Sequence, residues 1–157
     1  MTKLTKNDLG LKEQLYQLCS EFVEKRLQTV QNTIHEIQES LTSETKSSAG
    51  DKHETGRAML QLEREKAGHQ LAEIEKLKQN LSKIDISKSS DIIGLGSVVF
   101  TSQGNYFIAI SAGQMDVDGT KFFAISQNTP IGLWLKGKTI DAEFVFREQR
   151  FFVENLI

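Results

Sequence analysis

Two carboxylate residues lie three positions apart in the segment Gly50-Asp51-Lys52-His53-Glu54. At the start of a helix, this spacing places Asp51 and Glu54 on one face. Carboxylate oxygens are ligands that Mg²⁺ prefers, although two of them bind the ion weakly unless a second macromolecule completes the site. An N-cap at Asp51 with Glu54 three residues later also fits a capping box, and the spacing by itself favours this structural role. Asp51 and Glu54 are therefore candidate catalytic and metal-binding residues, and the spacing alone leaves both interpretations open.

Four other residue types could do chemistry, and each also has a structural interpretation. His53 is expected to be a solvated loop residue, because neutral imidazole suits Mg²⁺ poorly. Arg57 is a possible RNA contact or part of a solvated helix face. Cys19, the single cysteine, lies in an apolar helical stretch, which favours a packed thiol over a nucleophile. Trp134 has apolar neighbours and is interpreted as core cover rather than as a base-stacking ring.

The elements that would position the two acids are long helices. Apolar residues recur from Leu11 to Leu41 in steps of mostly three and four, with Asn7 or Asp8 as the cap. The polar stretch Thr42–Gly50 predicts a turn, and a seam with a period near 3.5 then resumes. Two such stripes joined by a short turn should pack as an antiparallel coiled-coil hairpin. This predicts an arm over residues 1–86 with its tip near 43–55.

The second part of the chain, residues 87–157, has a different pattern. Ten of the twelve aromatic residues lie between Phe100 and Phe152. Thr129 and Pro130 predict the cap and first position of a short helix, whose Leu133, Leu135 and Trp134 would cover a sheet. The class is therefore α+β, with a small antiparallel sheet. The predicted strands are 97–100, 106–110, 122–125, 144–146 and 151–153.

Composition limits the possible functions. The net charge of the 157 residues is −2, so the chain offers no obvious basic face for binding duplex nucleic acid, and a protein partner is favoured. The first residues have no signal-peptide pattern, and no apolar run reaches the length of a membrane span. We expect a cytoplasmic protein that has no membrane contact and no small-molecule substrate.

Two segments resemble a known family. The first is Gly50-Asp51-Lys52-His53-Glu54, and the second runs from Ile125–Gly132 to Leu135–Lys138. The first is similar to the Gly-Asp-x-x-Glu-Asn tip of the Gre transcription factors of bacteria. The second is similar to their C-terminal stretch Ile-Ser-x-x-Ser-Pro-Ile-Ala, which continues to Leu-x-Gly-Lys. The resemblance implies that residues 87–157 form an FKBP-like domain.

The resemblance also implies a function in transcription elongation. Gre factors bind RNA polymerase, insert the coiled coil into its secondary channel and stimulate cleavage of backtracked RNA. By this likeness Asp51 and Glu54 would help to hold a Mg²⁺ shared with the polymerase and to orient a water, with no cofactor bound by the chain alone. Partner-binding positions would be Asn128, Thr129, Pro130 and Ile131. The polymerase remains the enzyme, and nascent RNA and DNA are met only through it.

Three alternative functions remain open at the level of sequence. The same architecture suits a regulator or inhibitor that occupies the polymerase channel without stimulating cleavage. The C-terminal domain alone would suit an FKBP-like chaperone or prolyl isomerase with an aromatic pocket, although alternating strand positions favour core packing for these rings. A coiled-coil adaptor without polymerase contact is the third alternative.

Overall fold

The computed structural model describes the backbone of residues 4–46 and 51–157, and the side chains of 4–43 and 54–157. It is an α+β chain in which two long helices precede a six-stranded sheet. The helices are α1 (Lys6–Lys46), α2 (Asp51–Ser82) and α3 (Pro130–Leu135). The strands are β1 (Val98–Thr101), β2 (Asn105–Ile108), β3 (Gly113–Val117), β4 (Thr120–Ile125), β5 (Glu143–Phe146) and β6 (Gln149–Leu156).

Helix α1 begins earlier than predicted. The Asp8 amide donates to Thr5 Oγ1 at 3.0 Å, and the Thr5 amide donates to Asp8 Oδ2 at 3.3 Å. This reciprocal pair is a capping box, so the cap is Thr5 and not Asn7 or Asp8. The Asp8 side chain instead accepts the hydrogen bond from the Thr5 amide, as the third residue of the helix does in a capping box.

Helix α1 also extends beyond its predicted end. Residues 42–46, which the sequence assigned to a turn, are helical. Thr42 Oγ1 donates to the Gln38 carbonyl at 3.0 Å, as Thr29 Oγ1 does to the Lys25 carbonyl. A threonine hydroxyl that bonds to the carbonyl four residues earlier is compatible with a continued helix, so the polar composition did not mark the end.

Buried apolar side chains form a stripe along each long helix. The stripe on α1 differs from the predicted seam, because Cys19 is fully buried whereas Leu11 and Leu18 are only half-buried. Lys78 Nζ lies 3.6 Å from Glu24 Oε1 and joins the two helices. The buried apolar residues are Leu15, Cys19, Val23, Leu27, Val30 and Ile37 on α1, with Ala67, Ile74 and Leu81 on α2.

The contacts divide the chain into two compact units. One unit joins the chain up to Phe22 with Gln79–Ile157, and the other is Val23–Lys78. Within the first, the Tyr16 hydroxyl donates to the Leu81 carbonyl at 3.1 Å. In the part of the chain that the structure describes, no helix is long and apolar enough to cross a membrane.

The sheet is mixed, which corrects the antiparallel prediction. The strand order is β3-β4-β2-β1-β6-β5, and β2 pairs with β4 in parallel while every other pair is antiparallel. Strand β3 was missed by the sequence. It turns through Asp118 and Gly119, both at positive φ, so that β4 returns between β3 and β2. The predicted turn at this position is therefore right, but the strand preceding it carries Gly, Gln and Asp, which strands disfavour.

The core of the sheet lies under α3. Leu135 is fully buried and packs in one cluster with residues of the central strands and of β5 and β6. Leu133 and Trp134, predicted to share this burial, are exposed. A helix of six residues presents only one narrow face to the sheet, so successive positions cannot all be covered. The buried members of the cluster are Ile93, Val99, Ile108, Leu135, Phe144, Phe151, Val153 and Leu156.

Candidate functional site

The two candidate acidic positions lie at the start of α2. Asp51 is the first residue of the helix and Glu54 follows one turn later, with an exposed side chain. The side chains of Asp51 and His53 lie outside the described residues, so their predicted roles stay predictions. The helical backbone keeps the two acidic positions on adjacent turns of one face. Arg57, the possible RNA contact, is half-buried one turn further along α2.

The described side chains contain no group of three or more His, Cys, Asp or Glu residues able to hold a metal ion. Glu54 by itself supplies hard oxygen atoms of the kind Mg²⁺ binds. Its carboxylate is exposed and thus open to a second macromolecule. The chemistry available at this position is ligation or water orientation within a site that another molecule completes.

The segment Asn128–Ile131, predicted to bind a partner and here called the docking segment, is held by a capped turn. Thr129 has an extended backbone with φ −72° and ψ 158°, and its Oγ1 accepts from the Gly132 amide at 3.2 Å. The same hydroxyl donates to the Ser126 carbonyl at 2.7 Å. Pro130 occupies the first turn of α3, as predicted. One threonine hydroxyl thus fixes both the entry to α3 and the turn before it.

Gly132 is required by the close approach of this turn. A Cβ atom at position 132 would lie 2.3 Å from the Ser126 carbonyl oxygen and 2.8 Å from Thr129 Oγ1. Both are atoms of the turn itself, and the first is a backbone atom that cannot rotate away. The glycine of the second motif is therefore a packing requirement of this structure.

The four docking positions do not face the same environment. Asn128 and Pro130 are exposed. Thr129 is half-buried, and its hydroxyl makes the two hydrogen bonds of the cap. Ile131 is half-buried and packs against the sheet core. Asn128 and Pro130 are therefore available to a partner, while Thr129 and Ile131 hold the segment in place.

Trp134 stands on an aromatic stack. Its ring lies 5.8 Å from that of Phe144 with an interplanar angle of 5°, and Phe144 lies 5.0 Å from Phe151 at 9°. Lys138 Nζ sits 5.6 Å from the Trp134 ring centre and 5.4 Å from that of Phe144. Trp134 was predicted to cover the core, so the exposure of its ring was not predicted.

A buried lysine is the second feature that the sequence did not reveal. Lys12 is 1% exposed, and its Nζ donates to the Lys88 carbonyl at 3.0 Å. Burial lowers the pKa of Lys12 below its usual 10.5, and the nearby Asp85 and Asp8 oppose that shift. The amine ties the first turns of α1 to the segment that follows α2.

Cys19 and the buried aromatic side chains of the sheet have structural roles. Burial raises the pKa of Cys19 to about 12, so its thiol stays protonated at neutral pH, as expected for a packed residue. The aromatic side chains of the sheet include Phe107, Phe122 and Phe151, all buried in the core. The unit that contains the sheet also has a cleft of about 260 Å³, which these aromatic side chains do not line. Its lining residues are Leu4, Asp8, Ser89, Ser90, Asp91, Thr139, Ile140, Leu156 and Ile157.

No known protein family, curated protein sequence or solved structure matches the chain.

Proposed function

We propose that this chain is a Gre-like transcription elongation factor that binds RNA polymerase and stimulates cleavage of backtracked RNA. The observation that carries the proposal is the second motif, folded as a capped turn into α3 with Asn128 and Pro130 exposed. Position 132 carries Gly where the Gre pattern has Ala, and the close approach to the Ser126 carbonyl oxygen accounts for a residue without a Cβ atom here. The order of elements, two long helices and then a sheet domain, agrees with the same architecture.

The two long helices are proposed to form the antiparallel coiled-coil arm. Tyr16 contacts Leu81 and Glu24 contacts Lys78, so a higher residue number on α1 pairs with a lower one on α2, as in an antiparallel pair. The buried stripes supply the apolar seam that such an arm needs. The sheet with α3 on one side is proposed to be the FKBP-like docking domain. On this view the first turn of α2 lies at the end of the arm.

In the proposed mechanism the polymerase catalyses the cleavage, and this chain assists it. Mg²⁺ held in the polymerase supplies Lewis-acid activation of water and phosphate when it is bound. Asp51 and Glu54 would add carboxylate oxygens that hold the ion and orient the attacking water. The exposed Glu54 side chain fits this role, since a carboxylate delivered to a foreign site must not be buried in its own protein.

A channel-binding regulator without cleavage activity is the second candidate. Thr55, Gly56 and Arg57 stand where the Gre pattern continues with Asn and, in many members, a further acid. A positive charge one turn from Glu54 would weaken the local negative charge. An FKBP-like isomerase is disfavoured because Phe107, Phe122, Phe144 and Phe151 are buried in the core and line no open pocket. A coiled-coil adaptor is disfavoured by the accessible docking segment.

The deciding experiment measures cleavage of end-labelled RNA in a backtracked complex of the cognate polymerase. Wild-type protein should accelerate cleavage, and the double variant Asp51→Ala, Glu54→Ala should lose at least about 100-fold of that acceleration. The matched control is Glu63→Ala, Glu65→Ala, which removes two acids further along the same helix. It should retain activity.

Binding measured in parallel separates the two candidates. Wild-type protein that binds the complex without accelerating cleavage supports the channel regulator. Equal loss in the tip variant and in the control variant would point to general charge rather than to the tip carboxylates. Absence of binding would remove the proposed function altogether.

A further inference from the structure

The two edges of the sheet differ in how they are covered. The strand order places β3 at one edge and β5 at the other. At β5, the Phe144 ring stacks with Phe151 of the inner strand β6 and with Trp134 of α3. The Trp134 ring is therefore the outermost of the three, and a strand added beside β5 would collide with it. An aromatic side chain from a neighbouring helix thus covers the β5 edge.

The β3 edge is open. A two-residue turn at 118–119 joins β3 to β4, so Val117 and Thr120 form a hydrogen-bonded pair and the two types of pair alternate from there. The backbone groups of Gln114 and Asp116 consequently point away from β4. In the part of the chain that the structure describes, these outward groups have no hydrogen-bond partner, and both side chains are exposed. An edge of this kind is a template for another strand.

The sequence of β3 is complementary to itself in the antiparallel direction. A twofold axis through Met115 places Gln114 of one copy opposite Asp116 of the other, so that each such pair exchanges both backbone hydrogen bonds. Both side chains lie on the exposed face, since Met115 between them is buried on the other. The Gln114 amide can donate to the Asp116 carboxylate across the seam. A register with Asp116 opposite its own counterpart would bring like charges together, so the complementary register is favoured.

We propose that two copies of this chain pair through β3, which joins their sheets along one antiparallel seam about a twofold axis. The charges beside the seam permit this pairing. Lys121 lies opposite Asp116 within each copy, and Asp118 falls opposite Ala112 of the second copy, so no two acids are directly opposed. The covered β5 edges remain at the two ends, so pairing stops at two copies and does not continue into a fibre.

The length of the seam sets its strength. Strand β3 has five residues. An interface limited to one short strand lies at the small end of the range for protein pairs, where association is transient. We expect a dissociation constant of about 10–100 µM. This self-association is independent of any binding to RNA polymerase.

Sedimentation equilibrium of the full chain from about 5 µM to about 500 µM measures the dissociation constant of the dimer. Gln114→Lys places a cation opposite the Asp116 carboxylate and should tighten the dimer about fivefold, whereas Gln114→Glu places an anion there and should weaken it about fivefold. Raised salt should reduce both shifts. The side chain is exposed, so the monomer should stay folded, which thermal melting checks.

Two further sets of variants locate the seam. The double variant Gln114→Glu, Asp116→Lys restores opposite charges across the seam and should dimerise at least as tightly as the wild type. Gln149→Lys and Gln149→Glu make the matched changes at an exposed glutamine of β6 and should shift the dissociation constant less than about twofold. A wild type that stays monomeric at the highest concentration would overturn the inference. A dimer that responds alike to Gln114→Lys and Gln114→Glu would also overturn it, because β3 would then not be the seam.

Discussion

Lys12 shows how one residue can link stability to pH. Burial lowers the pKa of Lys12 in the folded chain below the 10.5 of an exposed lysine, with Asp85 and Asp8 acting in the opposite direction. Between the lowered value and 10.5 the unfolded chain therefore binds more protons than the folded one. Stability contributed by Lys12 rises with pH across that window, because the penalty for burying the charge disappears.

The prediction compares the wild type with Lys12→Met, which keeps the length of the side chain and removes the amine. We expect the difference in free energy of unfolding, wild type minus variant, to become more positive between pH 7.5 and pH 9.5. Urea denaturation at both values measures it. Lys83→Met removes an exposed lysine of the same unit and controls for loss of charge. A difference that falls with pH would contradict the assignment.

Sequence periodicity did not predict the burial of Lys12. A lysine at a seam position of a helix is normally solvated, and its amine gains a partner only through the carbonyl of Lys88, 76 positions away. The burial of Cys19 was predicted correctly, because a thiol in an apolar helical stretch behaves as a small apolar side chain. Burial of a charge depends on long-range partners, whereas burial of an apolar group follows from the local pattern.

At the scale of elements, the capped turn into α3 should be sensitive to a substitution at Gly132. Gly132→Ala would place a methyl group against the Ser126 carbonyl oxygen, so the turn must open or the cap must break. We expect a loss of about 1–3 kcal/mol in the free energy of unfolding. Gly10→Ala is the control, because that glycine lies in α1 with nothing within 4 Å of a new Cβ.

The control variant should gain stability. Alanine replaces glycine in a helix interior with a gain of about 0.5–1 kcal/mol. Thermal or urea unfolding of both variants gives the comparison, and polymerase binding of Gly132→Ala should fall as the docking segment moves. If Gly132→Ala proves as stable as Gly10→Ala, the close approach at Ser126 is not what the motif's glycine serves.

Sequence patterns predicted elements where local chemistry decides the structure. Thr129 and Pro130 specified the start of α3 because a hydroxyl acceptor and a fixed φ both act within one turn. Strand β3 was not predicted because Gly113 and Asp116 are residue types that strands disfavour, which left only Met115 and Val117 as strand-favouring apolar positions. The parallel pairing of β2 with β4 escaped for another reason. No local pattern records which strand will insert beside which.

At the scale of the whole molecule, the two compact units have unequal cores. Among the described side chains of Val23–Lys78, the buried apolar ones form one narrow stripe on each helix: Val23, Leu27, Val30 and Ile37 on α1, with Ala67 and Ile74 on α2. The unit that holds the sheet buries a larger set of described apolar side chains, drawn from all six strands, α3 and both ends of the helical region. Local stability follows the apolar area buried, so opening should require less free energy in Val23–Lys78.

Hydrogen exchange followed by mass spectrometry tests this inequality along the chain. Peptides from 27–43 and 54–75 should exchange faster than peptides covering β1 and β6 under native conditions. Ile37→Ala, which removes about 2–5 kcal/mol of packing, should accelerate exchange in the first set and leave the second unchanged. Val153→Ala provides the reciprocal control in the sheet core. If Ile37→Ala accelerates exchange equally in both sets, the units open together, and the chain unfolds as a single cooperative body despite the uneven burial.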